Sequence, residues 1–243
     1  MSAELHRVEA ETVRLSTIRR DFVANISHEL RTPLASIKLL VETLDAGALD
    51  DHEVALNFTR KIGEETDHLI GMAQELLELA RLEAAPTVDA ATLDPAAMVS
   101  RAAERMRALA RNRDVALRAE LPARLPAVWA DGEQVGRVLV NLLTNAITFT
   151  PAGGSVVVRA YTEQGTVAFS VADTGPGIAA GEEQRIFERF YKADVARQRG
   201  GVGLGLSIAR HIVEAHGGQI WARNRQDAGA IFTFTLPVAD GQP

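Results

Sequence analysis

"FVANISHELRTPLASIKLL", residues 22–40, decides the architecture of the first half of this 243-residue chain. Phe22, Ile26, Leu30, Leu34, Ile37, Val41 and Leu44 recur every three or four positions, the spacing of an amphipathic α-helix, and Gly47 ends the run. A helix turns about 100° per residue, so with Phe22 at zero the stripe spans about 0° to 120° and His28 falls near 240°. The histidine therefore points away from the apolar stripe. Thr32, one turn on, shares its exposed face, and Glu29 is adjacent and within reach of the ring. Pro33 has no N–H for the carbonyl of Glu29 and its ring crowds that oxygen, which predicts a bend or loosening within a turn of His28.

Upstream, Leu5, Val8, Thr12 and Leu15 extend the spacing as a coiled-coil lead-in over residues 1–20. Downstream, "AGALDD" (46–51) makes a turn. A second helix then carries Phe58, Ile62, Leu69, Met72, Leu76 and Leu79, with Glu65 on the remaining seam position. The two form a helical hairpin over residues 21–85. One apolar stripe per helix cannot be buried within a single hairpin, so two copies are expected to pair as a homodimeric four-helix bundle.

"EAAPTVDAATLDP" (83–95) breaks the pattern with two prolines, and the linker is placed at 86–94. A second domain, 95–240, begins with the helix "PAAMVSRAAERMRALARNR", the strand "VALRAEL" and the strongly apolar helix "EQVGRVLVNLLTNAITF". The strands "GSVVVRAYTE" and "TVAFSVADT" follow, then the helix "GLSIARHIVEAHGG" and the strands "QIWARN" and "AIFTFTLPV". Helices mixed with hairpin-linked strands imply a layered α/β sandwich, so the whole chain is read as α+β.

Composition narrows the function. A net charge of −6 excludes a general phosphate-backbone binder, so no nucleic-acid partner is expected. The absence of cysteine excludes disulfides and thiolate zinc sites and fits a cytoplasmic location. No run reaches the ~20 apolar residues that span a bilayer, so the chain is expected to be soluble as written. Its start in mid-helix reads as the cytoplasmic part of a larger membrane protein.

Three further elements carry chemistry. "VADTGPGI" sets Asp173 at a strand end before Gly175 and Gly177; a buried carboxylate there can accept from an exocyclic amine, though alone the motif reads equally as an Asp-initiated turn. "GGVGLGLSIARHIV" runs glycines 200, 201, 203 and 205 into a helix N-terminus, where free N–H groups suit phosphate oxygens. It is neither a Walker A loop nor a dinucleotide fingerprint. Asn141 and Asn145 share one face of the apolar helix; their amides either meet Mg²⁺ and phosphate oxygens or bond to backbone.

"FVANISHELRTPLASI" resembles the H box of sensor histidine kinases. The three elements just described resemble the N, G1 and G2 boxes of the Bergerat-type (GHKL) ATPase fold, and "IFERFYKAD" (186–194) resembles the kinase F box. Together, over roughly residues 15–237, the chain resembles the kinase core of HisKA-type sensors, similar to phosphate-regulon-type sensor kinases. The resemblance implies His28 as phosphoacceptor, Glu29 as general base and Thr32 as the residue that positions water in dephosphorylation. It implies ATP and Mg²⁺ as cofactors: Asn145 would ligate the metal, Asn141 support the phosphates, Asp173 read adenine beside Gly175 and Gly177, and Phe149 pack on the base. Gly201, Gly203, Leu204 and Gly205 would belong to the lid, and Lys192 would approach the γ-phosphate. Thr148 stands where the N box usually has Lys, and "ARQRGGVG" is about two residues short in the lid; Arg197 or Arg199 either restores the charge or is solvated.

The implied activity is ATP-dependent autophosphorylation of His28, then phosphoryl transfer to an aspartate in a response-regulator receiver domain, with signals arriving from an upstream sensor through residues 1–22. Two rival readings keep the same residues. In one the chain acts mainly as a phosphatase of that regulator through Thr32; in the other it is an inactive dimeric scaffold.

Overall fold

The computed structural model describes residues 24, 26–84, 88–191 and 203–239. The coiled-coil lead-in, Phe22, Lys192, Gly201, Arg197 and Arg199 lie outside them. The chain divides into two compact units, the division falling after Leu76.

The first unit holds helix α1 (26–45) and most of helix α2 (His52–Ala84), joined through a 3-10 turn at Ala48–Asp50. The Asp51 carboxylate starts α2 by accepting from the N–H groups of Glu53 (3.0 Å) and Val54 (3.2 Å). Helix α2 carries Phe58, Ile62, Glu65, Leu69 and Leu76 half-buried and Met72 buried, following the expected seam. One expectation for α1 changes. The helix runs unbroken through Pro33, whose ring is buried in the seam, so packing on that side holds the backbone helical where the missing N–H would loosen it. The stripe is only half covered, as expected of a single hairpin: Leu34 and Val41, on its edge at about 100° to 120°, are 54% and 43% exposed. Pro33 and Met72 are the buried residues among those described in this unit, so the single copy has almost no core of its own.

The second unit is a five-stranded mixed sheet with helices on one face. In chain order come β1 (Ala91–Leu93), α3 (Pro95–Asn112), β2 (Ala116–Glu120), β3 (Val128–Ala130), α4 (Gly132–Phe149), β4 (Ser155–Glu163) and β5 (Thr166–Asp173). A 3-10 turn (Arg185–Phe187), α5 (Gly205–Ala215), β6 (Ile220–Asn224) and β7 (Ala230–Pro237) complete it. Strand order is β2-β4-β5-β7-β6; β2 runs parallel to β4 and the other neighbours are antiparallel. β1 and β3 form a separate antiparallel pair that the sequence reading missed, and β1 falls inside the expected linker. Both are three residues long, too short for alternation to show.

Local sequence explains these elements. Asp94 caps α3 ahead of Pro95 at its first position. Asp131 caps α4, accepting from the N–H groups of Glu133 (2.9 Å) and Gln134 (3.1 Å). Gln164 and Gly165 both take positive φ (47° and 80°), closing the β4–β5 hairpin with the two-residue turn that suits strand twist. On α4, Val135, Val138, Leu139, Leu142, Leu143, Ala146 and Ile147 are buried, a helical period laid against the sheet. Phe169 and Phe234 stack at 4.7 Å across β5 and β7, and α5 adds Ile208 and Ile212 to the same layer.

His216 ties two helices together. Its Nδ1 meets the carbonyl of Ile212 at 2.7 Å, and its Nε2 accepts the N–H of Asp131 at 3.0 Å, at the start of α4. That pattern requires the neutral ring with the proton on Nδ1.

Candidate active site

Asp173 ends β5 on the helix-facing side of the sheet and is 4% exposed. Its Oδ1 accepts from the N–H groups of Gly175 (2.8 Å) and Ala230 (3.2 Å), while Oδ2 accepts no hydrogen bond among the described residues. Burial raises the carboxyl pKa above its ordinary range; the two backbone bonds and the nearby Arg225 guanidinium pull it part of the way back. A buried carboxylate oxygen without a donor is costly, and an amine of a ligand would relieve it. Asp173 is thus a buried carboxylate with one acceptor oxygen open, the feature the adenine role would require.

The loop after Asp173 seats on the end of α4. A Cβ on Gly175 would stand 2.9 Å from Asp173 Oδ1 and 3.0 Å from the carbonyl oxygen of Phe149, so the backbone here approaches the helix as closely as glycine permits. Phe149 is half-buried at that junction. Further up α4, the Asn141 amide donates to the carbonyl of Gly205 at 3.1 Å, fastening the first residue of α5 to α4. Of the two readings of the asparagines, Asn141 thus takes the backbone one. Asn145, a turn later and half-buried, makes no side-chain hydrogen bond among the described residues, leaving its amide oxygen open to a hard cation. No group of three or more His, Asp or Glu able to hold a metal occurs among the described residues.

At the start of α5, Gly203 (φ 76°) accepts the N–H of Phe190 at 3.0 Å, and Leu204 is fully buried as its cap. Phe187 packs edge-on against Phe232, 6.3 Å between centroids, which anchors this end of the F-box stretch on the sheet. The second unit therefore gathers Asn141, Asn145, Phe149, Asp173, Gly175, Gly177, Gly203, Leu204 and Gly205 around the ends of α4, β5 and α5. Sequence reading missed Asn224, Arg225 and Ala230, which hold the Asp173 loop; their only sequence signal is a polar pair at a strand end.

In the first unit, His28 and Thr32 are exposed and Glu29 is half-buried. The Thr32 hydroxyl turns back to the main-chain oxygen of His28, at a long 3.4 Å. Among the described residues no helix is long and apolar enough to cross a membrane.

The structure thus offers an exposed histidine on one helix of a hairpin and, in a separate α/β unit, a buried strand-end carboxylate with one oxygen open. Comparison with known proteins gives the chain its family. Residues 18–85 match the His Kinase A (phospho-acceptor) domain, and residues 130–240 match the histidine kinase-, DNA gyrase B- and HSP90-like ATPase. The chain is 38% identical over 233 residues to the sensor-like histidine kinase SenX3 of Mycobacterium tuberculosis, covering 95% of this chain and 56% of that protein. It is similar to full-length ShkA crystallised with AMPPNP (33% identity, TM-score 0.67, 92% of this chain and 47% of that one). The histidine kinase ThkA in complex with the response regulator TrrA gives a TM-score of 0.79 at 25% identity, covering 96% of this chain and 65% of that one. The chain belongs to the sensor histidine kinases, and it spans just over half the length of the SenX3 relatives it matches.

Proposed function

We propose that this chain is the kinase core of a two-component sensor: it moves the γ-phosphoryl group of ATP onto His28 and passes it to an aspartate of a response-regulator receiver domain. The observation that carries the reading is Asp173, a buried carboxylate with one oxygen left open, in the same chain as an exposed His28.

In the first step an imidazole nitrogen of His28, Nε2 in our assignment, attacks the γ-phosphorus. The bond to the bridging oxygen breaks, ADP leaves, and Glu29 takes the ring's other proton as the positive charge develops. Phosphoryl transfer depends on in-line placement and charge neutralisation, so the protein's work is positioning. Asp173 and Phe149 hold the base, the α5 N-terminus faces the phosphates, and Asn145 would share Mg²⁺ with them. Lys192 is assigned to the γ-phosphate. In the second step a receiver aspartate oxygen attacks the phosphorus, the P–N bond breaks, and His28 leaves as neutral imidazole as Glu29 returns the proton to its other ring nitrogen. Thr32 serves the reverse traffic, orienting water against the phosphorylated regulator; its long bond to the His28 carbonyl is weak enough to give up.

Two copies would complete the first unit. Leu34 and Val41 on α1, and Leu56, Ile70 and Leu77 on α2, are exposed at multiples of seven residues, the repeat that a four-helix bundle covers. Input from an upstream sensor at a membrane fits this arrangement, with this chain on the cytoplasmic side.

Incubation with radiolabelled Mg-ATP tests the reading. Acid-labile, base-stable label that His28→Ala abolishes is the expected result, a loss of more than about a thousandfold. Label that survives the substitution, or none on the unsubstituted chain, sinks the kinase assignment.

A further inference from the structure

The segment that returns from β6 to β7 grips the Asp173 loop at both ends. Asn224, the last residue of β6, faces Ile178 across 46 positions of sequence: its Oδ1 accepts the Ile178 N–H at 2.7 Å and its Nδ2 donates to the Ile178 carbonyl at 2.7 Å. At the other end, the Arg225 guanidinium donates to the carbonyl of Asp173 at 2.8 Å, and the Ala230 N–H reaches Asp173 Oδ1. Gly177 lies just inside the clamp, with φ at 78° and room for no Cβ: one built there would stand 2.7 Å from Asn224 Oδ1.

Two features separate this from ordinary loop packing. Asn224 uses both ends of one amide on both main-chain groups of one residue, which fixes Ile178 in orientation as well as position. It is also exposed, so it contributes little core burial and its removal leaves the sheet behind it intact.

We infer that Asn224 is a positioning residue for base recognition: by holding Ile178 it sets where the Asp173 carboxylate and the Gly175–Gly177 turn stand, and so governs adenine discrimination. The inference rests on the ATP-site reading. Misplacing a hydrogen-bonding partner by part of an ångström weakens a base-specific bond while leaving phosphate contacts made by the other elements untouched.

The test measures ATP and GTP dissociation constants for the chain, Asn224→Ala, Asn224→Asp and Asp173→Asn, with thermal unfolding of each. Asn224→Ala is expected to lose about tenfold in ATP affinity, to change GTP affinity less than threefold, and so to narrow the ATP-over-GTP ratio about fivefold. Asn224→Asp keeps the acceptor for the Ile178 N–H and should fall between. An unchanged ratio in Asn224→Ala, with Asp173→Asn still defective, overturns the clamp and leaves the ATP site standing. A normal ratio in Asp173→Asn overturns the site reading itself. Should Asn224→Ala fail to fold, Asn224→Asp decides: a ratio equal to that of the unsubstituted chain refutes the inference.

Discussion

The two units solve opposite problems. The α/β unit is complete in apolar terms: Leu139, Leu142, Leu143, Phe169, Phe234 and Ile212 are fully buried, and what it leaves open is one oxygen of Asp173. The helical unit buries almost nothing, keeps Leu34, Val41, Leu56 and Ile70 in contact with solvent, and presents its histidine outright. Under the proposed function a small molecule would finish the first unit and a second copy of the chain the other, whose stability would then depend on concentration.

That contrast is most easily broken at the helices. Leu34→Asp combined with Ile70→Asp puts charge on both exposed stripes, and in a symmetric pair each change counts twice. At about 1.5 kcal/mol per lost apolar side chain the sum is about 6 kcal/mol, or roughly four decades in the dimer dissociation constant. Light scattering coupled to gel filtration should show the mass halved at micromolar concentration. A dimer of unchanged stability would mean that some other surface pairs the chains.

Gly229→Ala comes next. Gly229 has φ at 90°, and a Cβ there would collide with the main-chain carbonyl of Asp173, so the expected loss is about 3 kcal/mol from the α/β unit alone. Denaturant unfolding should show the cost there, with the dimer mass unaffected.

Asp173→Asn is the smallest change and cuts the other way. The folded chain raises this carboxyl's pKa, so the proton is held more tightly folded than unfolded. Stability from this group is present below the unfolded carboxylate range and is lost as pH rises through the raised folded value; at neutral pH the charged form is a cost. The asparagine variant should therefore unfold at higher temperature near pH 7, by a few degrees, with a flatter acid-side profile, while binding ATP about thirtyfold more weakly. A variant both less stable and normal in binding would refute the assignment of Oδ2 as the open acceptor.

Sequence made much of this legible because the strongest signals are local. The period of α4, the cap at Asp131, the strand pairs on either side of Gln164–Gly165 and the outward angle of His28 all follow from residues within a few positions of one another. What escaped depends on distance along the chain. Asn224 meets Ile178 only after β6 is laid down, β1 and β3 exist because they pair with each other, and His216 finds Asp131 through the packing of α5 on α4. The half-covered α1 stripe was legible too: spacing gives its width, and one hairpin has no surface to cover Leu34 and Val41.

The two glycines of the Asp173 loop and its return segment differ in heritability. Gly177 is opposed by a side chain, the amide of Asn224, so a variant there has a neighbour that mutation can trim; Gly229 is opposed by main chain, which every allele shares. Selection for second-site suppressors of Gly229→Ala should thus return only true revertants, whereas a smaller residue at codon 224 should ease Gly177→Ala in part, removing the clash while the positive φ stays strained.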